Sequence, residues 1–304
     1  MAPVADDFTV RFFDLDAVVV DEDLLSASER ERVARKATAA LRQRQAASFH
    51  CLRVTLGEVL QLAPTAVPIG IAEEGKPFLQ AKAAKSRREA LCRLRFNLSH
   101  SDGVGMLAWG MREVGCDVEH LITRPSDGLA GEILTPRELE AWLALPEGLR
   151  QDWLTRAWVR KESTLKAVGS GLRIPPRTID VGGGANNGER WSVDAGGRRW
   201  VGIDCVDGVP EGYRAAVCIE HELWFVYVLR CAGDRLYCGI AKNVEARFAE
   251  HAAGKGAKFT RAFPPDEILA TCKFEDRAAA LRAEAGFKRM TRAEKLGQID
   301  VWSS

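Results

Sequence analysis

At residue 221 the chain stops one strand and starts another. Residues 213–219 alternate as a strand, only Glu220-His221-Glu222 follows, and a new apolar alternation begins at Leu223. Nothing there is long enough to be a linker, so two units are expected, 1–220 and 223–304, with an abrupt boundary. The length of 304 residues agrees, since one domain commonly takes roughly 100 to 200 residues. Charge divides at the same seam. From Leu223 onward 14 Lys+Arg face 10 Asp+Glu, against 29 and 32 upstream, so the net +1 conceals a basic tail and an acidic front. A mildly basic tail permits nucleic acid as a partner without demanding it.

With 46% hydrophobic and 28% charged residues, the composition is that of a water-soluble protein. No stretch approaches the ~18 apolar residues of a membrane span. Residues 1–20 carry Asp6, Asp7, Asp14 and Asp16 and lack an apolar run behind positive charge, so no signal peptide is expected there. The expectation is a cytoplasmic protein with no membrane partner. Eight cysteines lie in apolar surroundings without a Cys-x-x-Cys pair or clustered His, which points to reduced core residues and away from zinc.

In the front unit, residues 8–20 alternate as a strand. Ser28 with Glu31 fits a capping box for a helix to Leu41, whose Arg30, Arg32, Arg35 and Lys36 form either a solvated face or a phosphate cradle. A second helix covers 44–62, and 81–93 is polar, a loop or short helix. Strands over 94–98 and 103–109 flank a Ser99-His100-Ser101-Asp102 turn, which is either structural or a place to present His100 to a ligand. A strand over 114–118, helices over 126–143 and 149–168, and a Gly-rich meander over 173–217 follow, with 182–188 as a hairpin tip.

Two stretches carry chemistry. Strand alternation puts Asp117 and Glu119 on one face, where paired carboxylates repel unless a cation lies between them. An oxygen-only pair suits Mg²⁺, which completes its shell with substrate phosphate and water, and it also suits a solvated strand edge. On the 149–168 helix, Glu162 and Lys166 share a face, which fits a surface ion pair as well as a reaction centre.

The order Gly75-Lys76-Pro77, then Phe96-Asn97-Leu98-Ser99-His100-Ser101, then Gly115-Cys116-Asp117-Val118-Glu119, then Trp158-Val159-Arg160-Lys161-Glu162-Ser163-Thr164-Leu165-Lys166 resembles the 4'-phosphopantetheinyl transferases of the surfactin-synthetase type. The resemblance covers about residues 8–220, with Cys116 where the family usually has Ile or Val. It implies an α+β fold of two similar halves related by a pseudo-twofold, here about 1–112 and 113–220, with coenzyme A in the cleft between them. It implies transfer of the phosphopantetheine arm of coenzyme A to a serine of an acyl or peptidyl carrier protein, releasing adenosine 3',5'-bisphosphate. By that likeness Asp117, Glu119 and Glu162 hold Mg²⁺, Lys161 and Lys166 bind phosphates, and Glu162, directly or through a metal-bound water, takes the serine proton. Arg32, Arg44, Ser99 and His100 contact coenzyme A, and Lys76 and Pro77 lie near its nucleotide.

In the rear unit, strands over 225–229 and 236–240 bracket a Gly233-Asp234 turn, the pattern of a hairpin. A helix over 244–253 puts Arg247 and His251 on one face, a third strand lies around 268–274, and a helix capped by Asp276 carries Glu284 and Lys288. This order resembles the GIY-YIG endonuclease superfamily, in particular small stand-alone relatives of the nucleotide-excision nuclease. That implies a small α/β domain, a three-stranded antiparallel sheet flanked by helices. It also implies phosphodiester hydrolysis in DNA, with Tyr227, Tyr237 and Arg247 catalytic and Glu284 ligating Mg²⁺. Val226-Tyr227-Val228 lacks the usual glycine, and Phe259 stands where relatives mostly carry tyrosine. Two functions follow: a carrier-protein transferase whose appended domain binds or cleaves DNA, or a DNA-processing nuclease whose transferase-like domain is secondary.

Overall fold

Strand parity lays out the first unit. In the computed structural model, which describes residues 8–72, 76–80, 94–169, 171–182 and 190–303, two units separate at Met1–His221 and Glu222–Ser304. Gly75, Cys92, the polar segment 81–93 and most of the expected hairpin tip at 182–188 lie outside the described residues.

The first unit opens with β1 (Phe8–Asp14), α1 (Ala27–Ala34) and α2 (Ala39–Leu60). A short ribbon, β2 (Ile69–Ile71) and β3 (Pro77–Leu79), precedes β4 (Arg95–Ser101) and β5 (Val104–Gly110). Then come β6 (Val114–His120), α3 (Asp127–Ile133), α4 (Pro136–Leu143), α5 (Glu147–Val168), and strands β7 (Arg190–Ala195), β8 (Arg198–Asp204) and β9 (Tyr213–Glu220). The main sheets run β1-β5-β4 and β6-β9-β8-β7, with every pairing antiparallel.

Alternating residues of both sheets join one core, Val104, Met106 and Ala108 against Val114, Cys116, Val118 and Val217. On the first sheet's other face, Leu52 and Leu56 of α2 pack against Phe96 and Leu107. On the second sheet's other face, Val159 and Leu165 of α5 pack against Ala216 and Trp191. Because Cys116 and Val118 point into the core, Asp117 and Glu119 must point the other way, toward α5.

Two local expectations shift. The capping box is Ser26 with Glu29, not Ser28 with Glu31, and α1 ends at Ala34. The buried Glu29 carboxylate serves both the cap and Arg53, at 2.7 Å to each, which fixes that register. The turn after β4 is tighter than expected, with Asp102 in the left-handed region at φ 47°. Ser99, His100 and Ser101 therefore lie on β4 itself, where alternation separates His100 from its serine neighbours.

The second unit is a three-stranded antiparallel sheet, β11 (Arg235–Ala241), β10 (Trp224–Cys231) and β12 (Pro265–Phe274) in that order. Its helices are α6 (Val244–Ala252), α7 (Lys258–Ala262), α8 (Arg277–Arg289) and α9 (Arg292–Ser303). Val226, Val228 and Cys238 pack on Phe287 and Ile299 of α8 and α9, and Tyr227, Leu229 and Cys231 lie in a second cluster with Val244 of α6. The chain as a whole mixes helix and sheet as an α+β fold. Among the described residues, no helix is long and apolar enough to cross a membrane.

Candidate functional site

Helix α5 reaches β6 because residue 115 has no side chain. A Cβ there would meet the Ser163 carbonyl oxygen at 2.1 Å and the Ala167 nitrogen at 2.2 Å, backbone that cannot yield. This approach lays Glu162 and Lys166 beside Asp117 and Glu119. The Lys166 ammonium donates to Asp117 Oδ1 at 2.6 Å and to Ser99 Oγ at 2.9 Å, and Ser99 Oγ donates to the same Oδ1 at 2.8 Å. Ser101 Oγ donates to Glu119 Oε2 at 2.6 Å. The alternate residues of β4 thus supply hydroxyls to the acids of β6.

Electrostatics follow from this crowding. Burial raises the pKa of Glu119, the Asp117 charge raises it further, and Ser101, Lys166 and the Trp158 side chain oppose the rise. Glu162 is raised by burial as well; Lys166 eases this, while Asp117 and Glu119 add to it. Burial works against the Lys166 ammonium, but Asp117 outweighs it and holds that pKa above the usual lysine value. Asp117 itself is 1% exposed, and its Oδ2 is buried with no hydrogen-bond partner among the described residues.

That orphaned oxygen, in an all-oxygen set of three acids, fits a hard divalent cation. As they stand, no three His, Cys, Asp or Glu side chains among the described residues are gathered so as to hold an ion. The cationic partner of Asp117 among the described residues is Lys166, on Oδ1.

The other expected ligands of coenzyme A divide. His100 lies on β4 near Lys36 and Lys166; burial first, then these two charges, push its imidazolium pKa down. Lys76 donates to the Lys166 carbonyl at 2.9 Å, and burial lowers its pKa. With Pro77, Phe96, Val168 and Trp200 it lines a cavity of about 640 Å³ at the C-terminal end of α5.

Arg32, Arg44 and Lys161 are placed otherwise. Arg32 lies 5.5 Å over the Phe49 ring. Arg44 is spent on a bidentate pair with Asp16, at 2.7 and 2.8 Å. Lys161 is 0% exposed and donates to Glu138 Oε2 at 2.5 Å and to the Ile179 and Pro176 carbonyls at 2.5 and 3.1 Å. Lys161 thus lies on a face of α5 turned away from Asp117, and the structure does not bring its ammonium to the three acids. Two residues that sequence reasoning left out of the site belong beside it. Ser101 was quoted within a motif and Lys36 within a basic face, but only the fold brings them to Glu119 and His100.

In the second unit, Tyr227 is 0% exposed and its hydroxyl meets His251 Nε2 at 2.9 Å. His251 Nδ1 meets Thr260 Oγ1 at 2.6 Å, and that hydroxyl donates to the Ala257 carbonyl at 3.0 Å. Gly239 faces Tyr227 across the ladder, where a Cβ would lie 2.6 Å from the tyrosine oxygen. Burial raises the Tyr227 pKa, the neighbouring Tyr237 adds to this, and Arg247 opposes it. Burial and then Arg247 lower that of His251. The Tyr237 ring lies 5.0 Å from the His251 ring and stacks on Phe259 at 5.9 Å. Glu284 is on α8, paired with Lys288 at 2.7 Å, near Cys238 of β11. The structure thus gathers Tyr227, Tyr237, Arg247 and His251, with Glu284 on α8 near Cys238, the residue after Tyr237. His251 was legible only as sharing a face with Arg247.

Comparison with known proteins divides at the same seam. Residues 113–218 match the 4'-phosphopantetheinyl transferase superfamily, and residues 223–297 match the GIY-YIG catalytic domain. A UPF0213 protein of Cupriavidus necator is 44% identical over 72 residues, covering 24% of this chain and 78% of that protein. One from Xanthomonas axonopodis pv. citri is 47% identical over 78 residues, covering 26% of this chain and 76% of its own.

Through its second unit the chain belongs to the UPF0213 family.

A UPF0213 protein from Bacillus halodurans, solved by solution NMR, is 33% identical and covers 27% of this chain and 87% of its own, with a TM-score of 0.19. Ahead of the UPF0213 unit, the match to the 4'-phosphopantetheinyl transferase superfamily spans β6 through most of β9, the strands and helices that carry Asp117, Glu119, Glu162 and Lys166.

Proposed function

We propose that the first unit is a surfactin-synthetase-type transferase that moves the phosphopantetheine arm of coenzyme A onto a serine of an acyl or peptidyl carrier protein. The observation that carries this reading is the Asp117 carboxylate, one oxygen on Lys166 and the other buried without a partner among the described residues, beside Glu119 and Glu162. Asp117, Glu119 and Glu162 would hold Mg²⁺, which when bound neutralises charge on the pyrophosphate.

This chain's own side chains do the rest. Glu162, with its pKa raised toward neutrality, accepts the proton of the carrier serine. The serine oxygen then bonds to the phosphorus bearing the pantetheine arm, and the bond to the second phosphate breaks. Adenosine 3',5'-bisphosphate leaves with that bridging oxygen and its electron pair. Lys166 is a point charge for those phosphates, and Lys36 offers a cationic seat for the nucleotide's remaining phosphate, with His100 beside it as a neutral imidazole that can hydrogen-bond. The two sheets, each with one covering helix, support the pseudo-twofold arrangement and the halves at about 1–112 and 113–220. Incubation with an apo carrier, coenzyme A and Mg²⁺ tests the reading by mass spectrometry of the carrier.

We propose for the UPF0213 unit a phosphodiester-cleaving role on DNA. The cluster of Tyr227, His251 and Arg247 supports it. Tyr227, held protonated by burial, positions water through its hydroxyl, and Arg247 meets phosphate charge. Tyr237 borders the same space, and Glu284 would hold Mg²⁺ once Lys288 lets go. Cleavage of branched, single-stranded or duplex DNA that Glu284→Ala removes is the expected outcome. Cleavage untouched by that substitution contradicts it. The chain as a whole is read as a soluble cytoplasmic protein.

A further inference from the structure

The open edge of β11 carries a recess that the hydrolytic residues of the second unit do not fill. It encloses about 260 Å³, and Tyr237, Cys238, Phe259, Phe287, Lys288 and Lys295 are among its lining residues. Among the described residues, the sheet order leaves β11 without a neighbouring strand on this side. Tyr237 and Cys238 point to opposite faces of the strand, so the recess wraps around its edge.

Its walls are aromatic and its rim is cationic. Phe259 lies nearly parallel to Tyr237, with 24° between the ring planes, yet keeps 37% of its surface exposed. The Lys295 ammonium lies 5.9 Å over the buried Phe287 ring. The Lys288 side chain is 55% exposed beyond its contact with Glu284. A flat apolar surface beside two ammonium groups matches a nucleotide, a planar base linked to phosphate. Phe259 has no hydroxyl, so it offers a π-face and no hydrogen-bond readout, and stacking on such a face tolerates any base. A paired base is already covered on both faces by its neighbours in the duplex, and a recess at a strand edge cannot take it without unpairing it.

We propose that this recess takes one unpaired nucleobase of a DNA strand, stacked on Phe259, with the adjoining phosphates held by Lys288 and Lys295. The proposal rests on the DNA reading of this unit and narrows its substrate class to strands with an unpaired nucleotide: single strands, flaps and bulges. Tyr237 is a shared wall, so the captured base belongs to a nucleotide beside the phosphate to be cleaved. Phe259 is then a specificity-determining residue.

The test uses the full chain in EDTA, so that binding is read without hydrolysis. The probes are a short oligothymidylate carrying one 2-aminopurine, the same strand with abasic sites, and a blunt duplex. Binding of the 2-aminopurine strand is expected to quench its fluorescence. Phe259→Leu, which keeps apolar bulk and removes the ring, is expected to weaken base-bearing single strand roughly tenfold and to leave the abasic strand and duplex unchanged. Phe259→Tyr is expected to bind like the parent, which separates a lost ring from a damaged fold. Lys295→Gln is expected to weaken every probe alike and to flatten the salt dependence. Equal affinity of the parent chain for base-bearing and abasic strands, or an unchanged single-strand affinity in Phe259→Leu, overturns the recess proposal while leaving the DNA reading standing. Absence of binding to all three probes overturns both.

Discussion

Two lysines on one helix, five positions apart, meet opposite fates, and their surroundings decide which is structural. Lys161 is sealed in with Glu138 and two carbonyls. Its replacement by Met leaves Glu138 buried without its cation, which is expected to cost about 3–5 kcal/mol. Urea unfolding of Lys161→Met measures this, and a loss below about 1 kcal/mol contradicts the structural role. Lys166 instead holds a carboxylate whose second oxygen is unpartnered among the described residues. With Lys166→Gln, an entering Mg²⁺ no longer competes with an ammonium for Asp117. Mg²⁺ is therefore expected to raise the Tm of that variant more than that of the parent. Equal Tm shifts mean that the ion does not enter at Asp117.

From sequence alone these fates could not be told apart. Lys161 lies in a motif beside Glu162, and only the packing of α5 against α4 shows where its ammonium goes. Asp117 and Glu119 were readable because strand parity is local: it requires both to leave the face occupied by Cys116 and Val118. Arg32 and Arg44 were aligned by the family resemblance across a weakly patterned region, and their partners Phe49 and Asp16 lie elsewhere in the chain.

At the scale of elements, the closeness of α5 to β6 sets the first site. Gly115→Ala puts a methyl group against the Ser163 and Ala167 backbone, which must move the helix outward. The expected cost is about 1–3 kcal/mol in stability, together with weaker Mg²⁺ dependence of transfer. Parent-like Tm and activity in Gly115→Ala contradict the contact.

In the second unit, α6 presents His251 between Tyr227 and Thr260, where burial keeps the ring neutral and lowers its pKa. An unfolded histidine titrates near about 6.5. Below that value the unfolded chain takes up a proton that the folded one resists, so acid favours unfolding. The contribution of His251 is present above about pH 6.5 and lost as pH falls through the lowered folded value. The Tm of the second unit is expected to fall over that range in the parent and to fall less in His251→Gln. Parallel pH profiles contradict a buried neutral His251. Helix and strand identities here were largely legible from periodicity and capping, including the Asp276 cap of α8. The start of α1 was not, because Ser26 and Ser28 both precede a Glu at the right spacing and only the tertiary partner Arg53 selects Glu29.

For the whole molecule, the contact division at residues 221–222 falls between the two family matches, 113–218 and 223–297. Each unit carries its own acids, Asp117, Glu119 and Glu162 in the first and Glu284 in the second. Substitutions are therefore expected to act separately: Asp117→Ala removes carrier modification and leaves DNA binding intact, while Glu284→Ala does the reverse for cleavage. The central claim is that Asp117, in the constellation with Glu119, Glu162 and Lys166, serves phosphopantetheine transfer. Mass spectrometry of apo acyl and peptidyl carriers, incubated with coenzyme A, Mg²⁺ and the full chain, tests it most directly. A phosphopantetheine adduct on the carrier serine with the parent chain and with Glu284→Ala, but not with Asp117→Ala, is the predicted result. No adduct on any carrier, or an undiminished adduct with Asp117→Ala, would contradict it.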